Sequence, residues 1–152
     1  MSETDFISPV SIKGPYINKS SIFVSQQGPE EGGEIFCDVN IELHDKTDAV
    51  NKGNEYVLPH RMEVNISLHS AEGDGGRIDY MRAHLDMVGI ISIPNSIEIQ
   101  GMTATEALRL NGISLLYSSA RSYIEFLTSM SAMGRFTIPA IDPAAFLHSL
   151  ND

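Results

Sequence analysis

The sequence predicts an α+β fold, a four-stranded antiparallel sheet with helices packed on one face. Residues 34–44 and 56–69 alternate apolar and polar side chains with a period of two, which is typical of strands that bury one face. Residues 114–132 instead follow helical spacing and are apolar over more than one stripe. Because the strand patterns precede the helical ones along the chain, the helices are expected to cover one face of the sheet.

Length and charge limit the class of protein. A chain of 152 residues fits one domain with a substantial core. The formal net charge of −10 argues against nucleic acid and anionic membranes as partners, because phosphate binding requires clustered Lys and Arg. Cys37 is the only cysteine, which excludes an internal disulfide and indicates a reducing compartment. With neither a signal-peptide pattern nor a long apolar run, the sequence predicts a cytoplasmic protein without membrane insertion.

Four strands are expected in a meander. Residues 1–14 contain several breakers and are predicted to be a flexible arm, so that the single domain spans residues 15–152. The predicted strands are residues 16–25, 34–44, 56–69 and 77–93. Turn-forming residues separate them at 26–33, 45–54 and 71–76. In the last strand Gly89 indicates a bulge or a close approach of another element.

Three helices are predicted after the sheet. Thr103 and Glu106 have the spacing of a capping box, which begins a short helix over residues 103–110. Asn111-Gly112 is expected to end it, and a long helix follows over residues 114–132. A last short helix is predicted at residues 143–150.

The sequence offers no constellation for catalysis. No nucleophile elbow or phosphate-binding glycine loop is present, and the five histidines lack the paired spacing of a metal site. The predicted strands therefore carry solvated or partnered histidines rather than ligands. We expect a protein that is not an enzyme and has neither a metal nor a cofactor.

Three stretches resemble the SecB protein-export chaperones. The stretch LTSMSAMGRFTIPAIDPAAF at residues 127–146 looks like the end of the family's helix followed by Gly-x-Phe and a proline-punctuated loop. YINKSSIFV at residues 16–24 is similar to the family's first strand, and VGIISI at residues 88–93 to the end of its fourth. With the order of elements, the resemblance covers the chain from about residue 16 to residue 150.

The resemblance implies an ATP-independent holdase that keeps unfolded or precursor polypeptides soluble and delivers them to the SecA translocase. It also implies a homotetramer built as a dimer of dimers. The client-binding groove would be lined by Val39, Ile41, Leu43, Tyr123 and Leu127. Strands would pair between subunits at Ala83, Leu85 and Met87.

This chain departs from the family at the positions expected to contact SecA. The family usually carries acidic residues where this sequence has Ser20, Val24 and His84. The acidic tail that the family uses to bind SecA is also missing after residue 150. These differences favour, as one alternative, a SecB-like chaperone dedicated to a single partner such as an antitoxin. A second alternative is a small-molecule-binding α+β domain, which would need an enclosed pocket with convergent polar groups.

Overall fold

The computed structural model describes residues 10–29, 32–44, 47–73, 75–97, 99 and 101–150. Five strands and two helices occur in this part of the chain. The strands are β1 (Ser11–Val24), β2 (Ile35–Leu43), β3 (Val50–Lys52), β4 (Glu55–Ser70) and β5 (Asp79–Pro94). The helices are α1 (Ala104–Ser129) and α2 (Pro143–Ser149). The predicted α+β class with an antiparallel sheet is confirmed, and the short strand β3 lies within the segment predicted to be a turn.

The four long strands are ordered β1-β5-β4-β2, and β3 pairs with the end of β4. All pairings are antiparallel. The predicted meander is wrong for the first strand, because β1 pairs with β5 rather than with β2. Strands β4 and β5 are therefore central, and β1 and β2 form the two edges of the described sheet.

Strand β1 begins earlier than predicted. Its first residue is Ser11, so the described end of the predicted arm, from Ser11 to Gly14, is already part of the sheet. Residues 1–9 lie outside the described residues. A register shift lies between Lys13 and Tyr16, opposite Gly89 of β5. A Cβ on Gly89 would lie 3.3 Å from Ile12 Cδ1 and 3.5 Å from Leu116 Cδ2, which confirms the predicted close approach.

Alternation along the strands divides the sheet into two faces. In β4 the apolar residues Met62, Val64, Ile66 and Leu68 are at most 2% exposed and pack in one cluster with α1. The residues that alternate with them point to the opposite side, which we call the open face; they are Arg61, Glu63, Asn65, Ser67 and His69. The helix residues in the cluster include Ile113, Leu116, Tyr117, Ala120 and Ile124. One face is thus buried by α1, as the period of two predicted.

Helix α1 is continuous, and the predicted stop at Asn111-Gly112 is wrong. Asn111 Nδ2 donates to Ala107 O at 2.8 Å, so its side chain bonds back to the preceding turn. Gly112 is buried against His60 of β4, and a Cβ there would be closer than 3.0 Å to three atoms of the His60 ring. The glycine therefore allows close packing of helix on sheet instead of ending the helix.

The predicted capping box at the start of α1 is confirmed. Thr103 Oγ1 accepts from Glu106 N, and Glu106 Oε2 accepts from Thr103 N, each at 3.2 Å. After α1 the chain turns back along the helix. Arg121 Nε donates to Ile138 O at 3.0 Å, and Ile138 is completely buried. Helix α2 then begins with Asp142 as N-cap, whose carboxylate accepts from the backbone of two residues in its first turn.

Candidate functional site

Edge strand β2 carries an apolar surface that the rest of the sheet leaves partly uncovered. Val39, Ile41 and Leu43 face the α1 side and pack against the core cluster, but they remain half-buried because no further described strand covers β2. At the beginning of the strand, Ile35 and Phe36 are 44% and 43% exposed. We call these five residues the β2 apolar edge.

A second feature is a depression of about 620 Å³ on the open face. It crosses all four long strands at one level. Its lining residues are Ser21, Ile22, Phe23, Asp38, Val39, Asn40, Asn65, Ile66, Ser67, Arg82, Ala83 and His84. No residue of α1 lines it, which places it opposite the helix. Its volume suits a short segment of polypeptide or a small molecule.

Aromatic residues lie on both edge strands of the sheet, and one of them, Phe23, lines this depression. Arg82 Cζ lies 5.3 Å from the centroid of the Phe23 ring, and Phe23 is 49% exposed. On the other edge the rings of Phe36 and His69 are stacked with centroids 5.8 Å apart. An apolar segment crossing the sheet would thus meet an aromatic side chain at each edge.

The structure divides the predicted groove residues between two sides of α1. Val39, Ile41 and Leu43 lie together on β2. Tyr123 lies over the opposite edge, because its hydroxyl is 3.3 Å from Ser20 Oγ on β1. Leu127 is one turn further along α1 and therefore lies on the same side of the helix as Tyr123. The described residues therefore offer two separate apolar surfaces rather than one groove.

The residues predicted to pair strands between subunits are buried within the single chain. Ala83, Leu85 and Met87 are at most 5% exposed and belong to the core cluster beneath α1. Strand β5 is hydrogen-bonded to β1 on one side and to β4 on the other. No edge of β5 is thus available at these positions for a strand of another subunit. Their role in this structure differs from the predicted one, because they form the core.

The three positions matched to SecA contacts do not share one surface. Ser20 and Val24 alternate with the open-face residues of β1, and Val24 packs against the core cluster. His84 lies on the open face, where its Nδ1 is 2.8 Å from Asn65 Oδ1. Ser20, Val24 and His84 therefore cannot form one contact surface.

Sequence reasoning missed Ile35 and Phe36 as exposed apolar residues. In the sequence Phe36 alternates with the apolar row and shares a strand face with Asp38, and that position is the signal: a large aromatic residue among polar neighbours is either covered or exposed for binding. Cys37, between them and the half-buried row, is partly buried, and burial raises the pKa of its thiol. A raised pKa of the thiol favours an unreactive cysteine.

His69 is expected to titrate above the ordinary range of histidine. Its pKa is raised because Nδ1 bonds to Ser70 O and Nε2 bonds to Asp38 Oδ2, both at 2.8 Å. The protonated ring is favoured in the folded chain. The resulting stability is complete below the unfolded pKa of about 6.5 and is lost as the pH rises through the folded pKa. We expect Asp38→Asn to lower the pKa of His69, measured by NMR titration of the ring protons. An unchanged midpoint would show that Asp38 does not stabilise the charged ring.

Comparisons with known proteins agree with the predicted fold. No family model matches the chain, and no curated protein is similar to it in sequence. Among solved structures, it is similar to the SecB-like chaperone Rv1957 of Mycobacterium tuberculosis, solved in complex with a ChAD peptide from the HigA1 antitoxin Rv1956. The TM-score is 0.59 at 15% identity, over 88% of this chain and 91% of that one. The chain has a SecB-like fold.

A second solved structure is a protein of unknown function from Streptococcus agalactiae. It has a TM-score of 0.44 at 9% identity, over 86% of this chain and 97% of the other. Separately, no helix in the described residues is both long and apolar enough to cross a membrane.

Proposed function

We propose that this protein is an ATP-independent chaperone that binds non-native polypeptides and keeps them soluble. The observation that carries the proposal is the β2 apolar edge. The exposed Ile35 continues there into a half-buried apolar row, and the exposed Phe36 adds an apolar side chain on the open face. Both lie on a strand whose outer side has no partner among the described strands. Support also comes from the SecB-like fold, because the similar chaperone was solved with a bound peptide.

The proposed binding mode uses both backbone and side chains. An extended client segment can add to an edge strand through backbone hydrogen bonds, which read no particular sequence. Apolar client side chains would be buried at roughly 25 cal/mol per Å² against the β2 apolar edge. Such binding requires no chemical step, and the proposal assigns no catalytic residue, cofactor or nucleotide.

The first experiment measures aggregation. A chemically denatured client protein is diluted into buffer with and without this chain, without ATP, and light scattering is followed. We expect the wild-type chain to suppress scattering at near-stoichiometric amounts. The double variant Ile35→Asp/Phe36→Asp should lose at least half of this suppression, since both side chains are exposed and charge there opposes apolar binding.

Val50→Asp/Ile90→Asp is the matched control for that experiment. Val50 and Ile90 are 52% and 44% exposed and pair with the far end of β4, so the same two charges are added to another part of the sheet. The control should suppress scattering as the wild type does. If the wild-type chain is folded but does not reduce scattering, the general holdase function is excluded. If both variants retain full suppression, the β2 apolar edge is not the binding surface.

A chaperone dedicated to one partner is the second candidate. The observation that favours it is the antitoxin peptide bound to the similar Mycobacterium chaperone. A dedicated chaperone would bind one segment on an array of antitoxin-derived peptides and leave the aggregation of unrelated clients unchanged. Binding of many unrelated apolar peptides with similar affinity would contradict it.

Assembly and delivery are the finer parts of the proposal. By resemblance to SecB chaperones, we propose a homotetramer and transfer of clients to SecA. Light scattering coupled to size exclusion measures the first, and binding to purified SecA measures the second. A monomeric mass would exclude the tetramer, and the altered positions at Ser20, Val24 and His84 predict weak SecA binding.

A further inference from the structure

Three metal-ligating side chains meet on the open face, at a place that the proposed function does not use. They are Glu42 at the end of β2, His44 just after it and Glu63 in β4. Each offers one ligand atom, and these atoms lie within 4.8 Å of one another. No sequence motif indicates a metal site here, because the residues belong to two separate segments of the chain. Only the register of the sheet brings them together.

Pairing of β2 with β4 creates the cluster. Glu42 and Glu63 are directly opposite in the antiparallel ladder. His44 N donates to Arg61 O at 3.0 Å, which continues the pairing by one step and holds His44 beside Glu63. Positions two apart on one strand share a face, so Glu42 and His44 both point to the open side. Backbone hydrogen bonds thus preorganise the side chains.

The distances suit a small divalent cation. His44 Nε2 lies 2.8 Å from Glu63 Oε2 and 4.0 Å from Glu42 Oε2. Bonds of about 2 Å from Zn²⁺ to nitrogen and oxygen ligands separate the ligand atoms by roughly 3–4 Å. Small side-chain rotations would therefore place a cation among the three. The exposed fractions of the His44, Glu42 and Glu63 side chains are 37%, 54% and 22%, which leaves room for water ligands.

The nearest cation, Arg61, is paired mainly with another carboxylate and does not balance the charge of the cluster. Arg61 forms a two-point ion pair with the buried Asp86, at 3.0 and 2.9 Å, and Asn18 Nδ2 donates to the same carboxylate. The Arg61 guanidinium lies further from Glu63, at 3.8 Å, and its charge is balanced first by Asp86. Glu42 and Glu63 thus place two carboxylates beside the His44 imidazole. A divalent cation would neutralise both.

His84 closes the other side of Glu63. Its Nε2 is 3.8 Å from Glu63 Oε1, and its Nδ1 is 2.8 Å from Asn65 Oδ1. The amide oxygen accepts from Nδ1–H, which orients the ring so that Nε2 faces the Glu63 carboxylate. His84 therefore orients Glu63 from outside the cluster, as partners beyond the direct ligands do at metal sites.

We propose that Glu42, His44 and Glu63 form a surface site for a divalent first-row transition metal, with Zn²⁺ as the best match. Two carboxylates and one imidazole supply the mixed oxygen and nitrogen ligands that Zn²⁺ accepts, and water completes the coordination. The bound ion joins edge strand β2 to central strand β4. Its role would be to hold the β2 edge in place, independently of whether the edge binds clients.

Zinc binding to the full chain tests the proposal. The purified, untagged chain is stripped with EDTA, and Zn²⁺ is titrated in competition with a chromophoric chelator. We expect one Zn²⁺ per chain, and at least tenfold weaker binding for His44→Ala and for Glu63→Gln. Zn²⁺ should also raise the melting temperature of the wild type but not that of His44→Ala.

His69→Ala is the matched control. His69 Nε2 bonds to Asp38 Oδ2 on the same face, also at 2.8 Å. Among the described residues, this pair is not part of any cluster of three potential metal ligands. The control should bind Zn²⁺ as the wild type does. Equal loss in His69→Ala and His44→Ala, or wild-type binding no tighter than that of His44→Ala, would overturn the proposal in favour of a plain histidine–carboxylate ion pair. Circular dichroism of each metal-free variant establishes that it is folded.

Discussion

Leu85→Ala is expected to lower the free energy of unfolding by about 2–5 kcal/mol, the range for deleting a large buried side chain. Leu85 is completely buried. It sits in the central strand β5, paired with Ser20 of β1 and Val64 of β4, and it belongs to the cluster that α1 covers. The surrounding strands cannot easily collapse into the space left behind, because β5 is hydrogen-bonded to β1 on one side and to β4 on the other. Urea unfolding followed by circular dichroism measures the loss.

Ile90→Ala on the same strand is the control for Leu85→Ala. Ile90 is 44% exposed on the open face, so its truncation should cost less than about 1 kcal/mol. The comparison also tests the subunit-interface prediction made from the sequence. If Leu85→Ala left the unfolding midpoint unchanged but reduced the native mass, Leu85 would belong to an interface between subunits, and its burial beneath α1 would be wrong.

Gly112→Ala is expected to destabilise the protein by about 1–3 kcal/mol, the cost typical of overpacking. In an exposed helix the same change would stabilise by about 1 kcal/mol, because alanine has the higher helix propensity. The sign is reversed here because the added Cβ would be closer than 3.0 Å to the His60 ring. That ring is 2% exposed, and its Nε2 lies 3.1 Å from Leu108 O, so it cannot move away freely.

A double variant separates steric overlap from other causes. In His60→Ala the ring is gone, and Gly112→Ala should then be neutral or stabilising, which a thermodynamic cycle detects as coupling. Ser122→Ala, at an exposed position of the same helix, should raise stability by a few tenths of a kcal/mol and serves as the propensity control. A stabilising effect of Gly112→Ala in the wild-type background would contradict the close packing of α1 on β4.

Local patterns in the sequence predicted the elements, but not how the sheet is ordered. The period of two in β2 and β4 fixed which side chains face α1, and the Thr103–Glu106 spacing fixed the start of the helix. Both signals lie within a few residues. The pairing of β1 with β5 depends on residues far apart in the chain, and no short-range signal carries it.

Two misinterpretations have the same physical cause. Asn111-Gly112 is a local turn signal and therefore predicted a helix stop. The glycine is instead required for close packing against His60, which is far away in the sequence. The resemblance to SecB chaperones implied one groove that contains both Tyr123 and Val39, whereas sheet order places them on opposite sides of α1. The cluster of Glu42, His44 and Glu63 escaped notice for a similar reason, since strand register and not spacing assembles it.

The order of the strands has a consequence for biosynthesis. Strand β1 is synthesised before the other strands, but its partner is β5. Ser11 therefore cannot pair until Ser92 has been synthesised. Strands β4 and β5 are joined by a short turn and can form a hairpin as soon as both have left the ribosome. Until then Ile12, Ile22 and Val24 of the first strand, which pack against the core in the folded chain, are uncovered. The nascent chain would itself be a candidate client of a holdase during that interval.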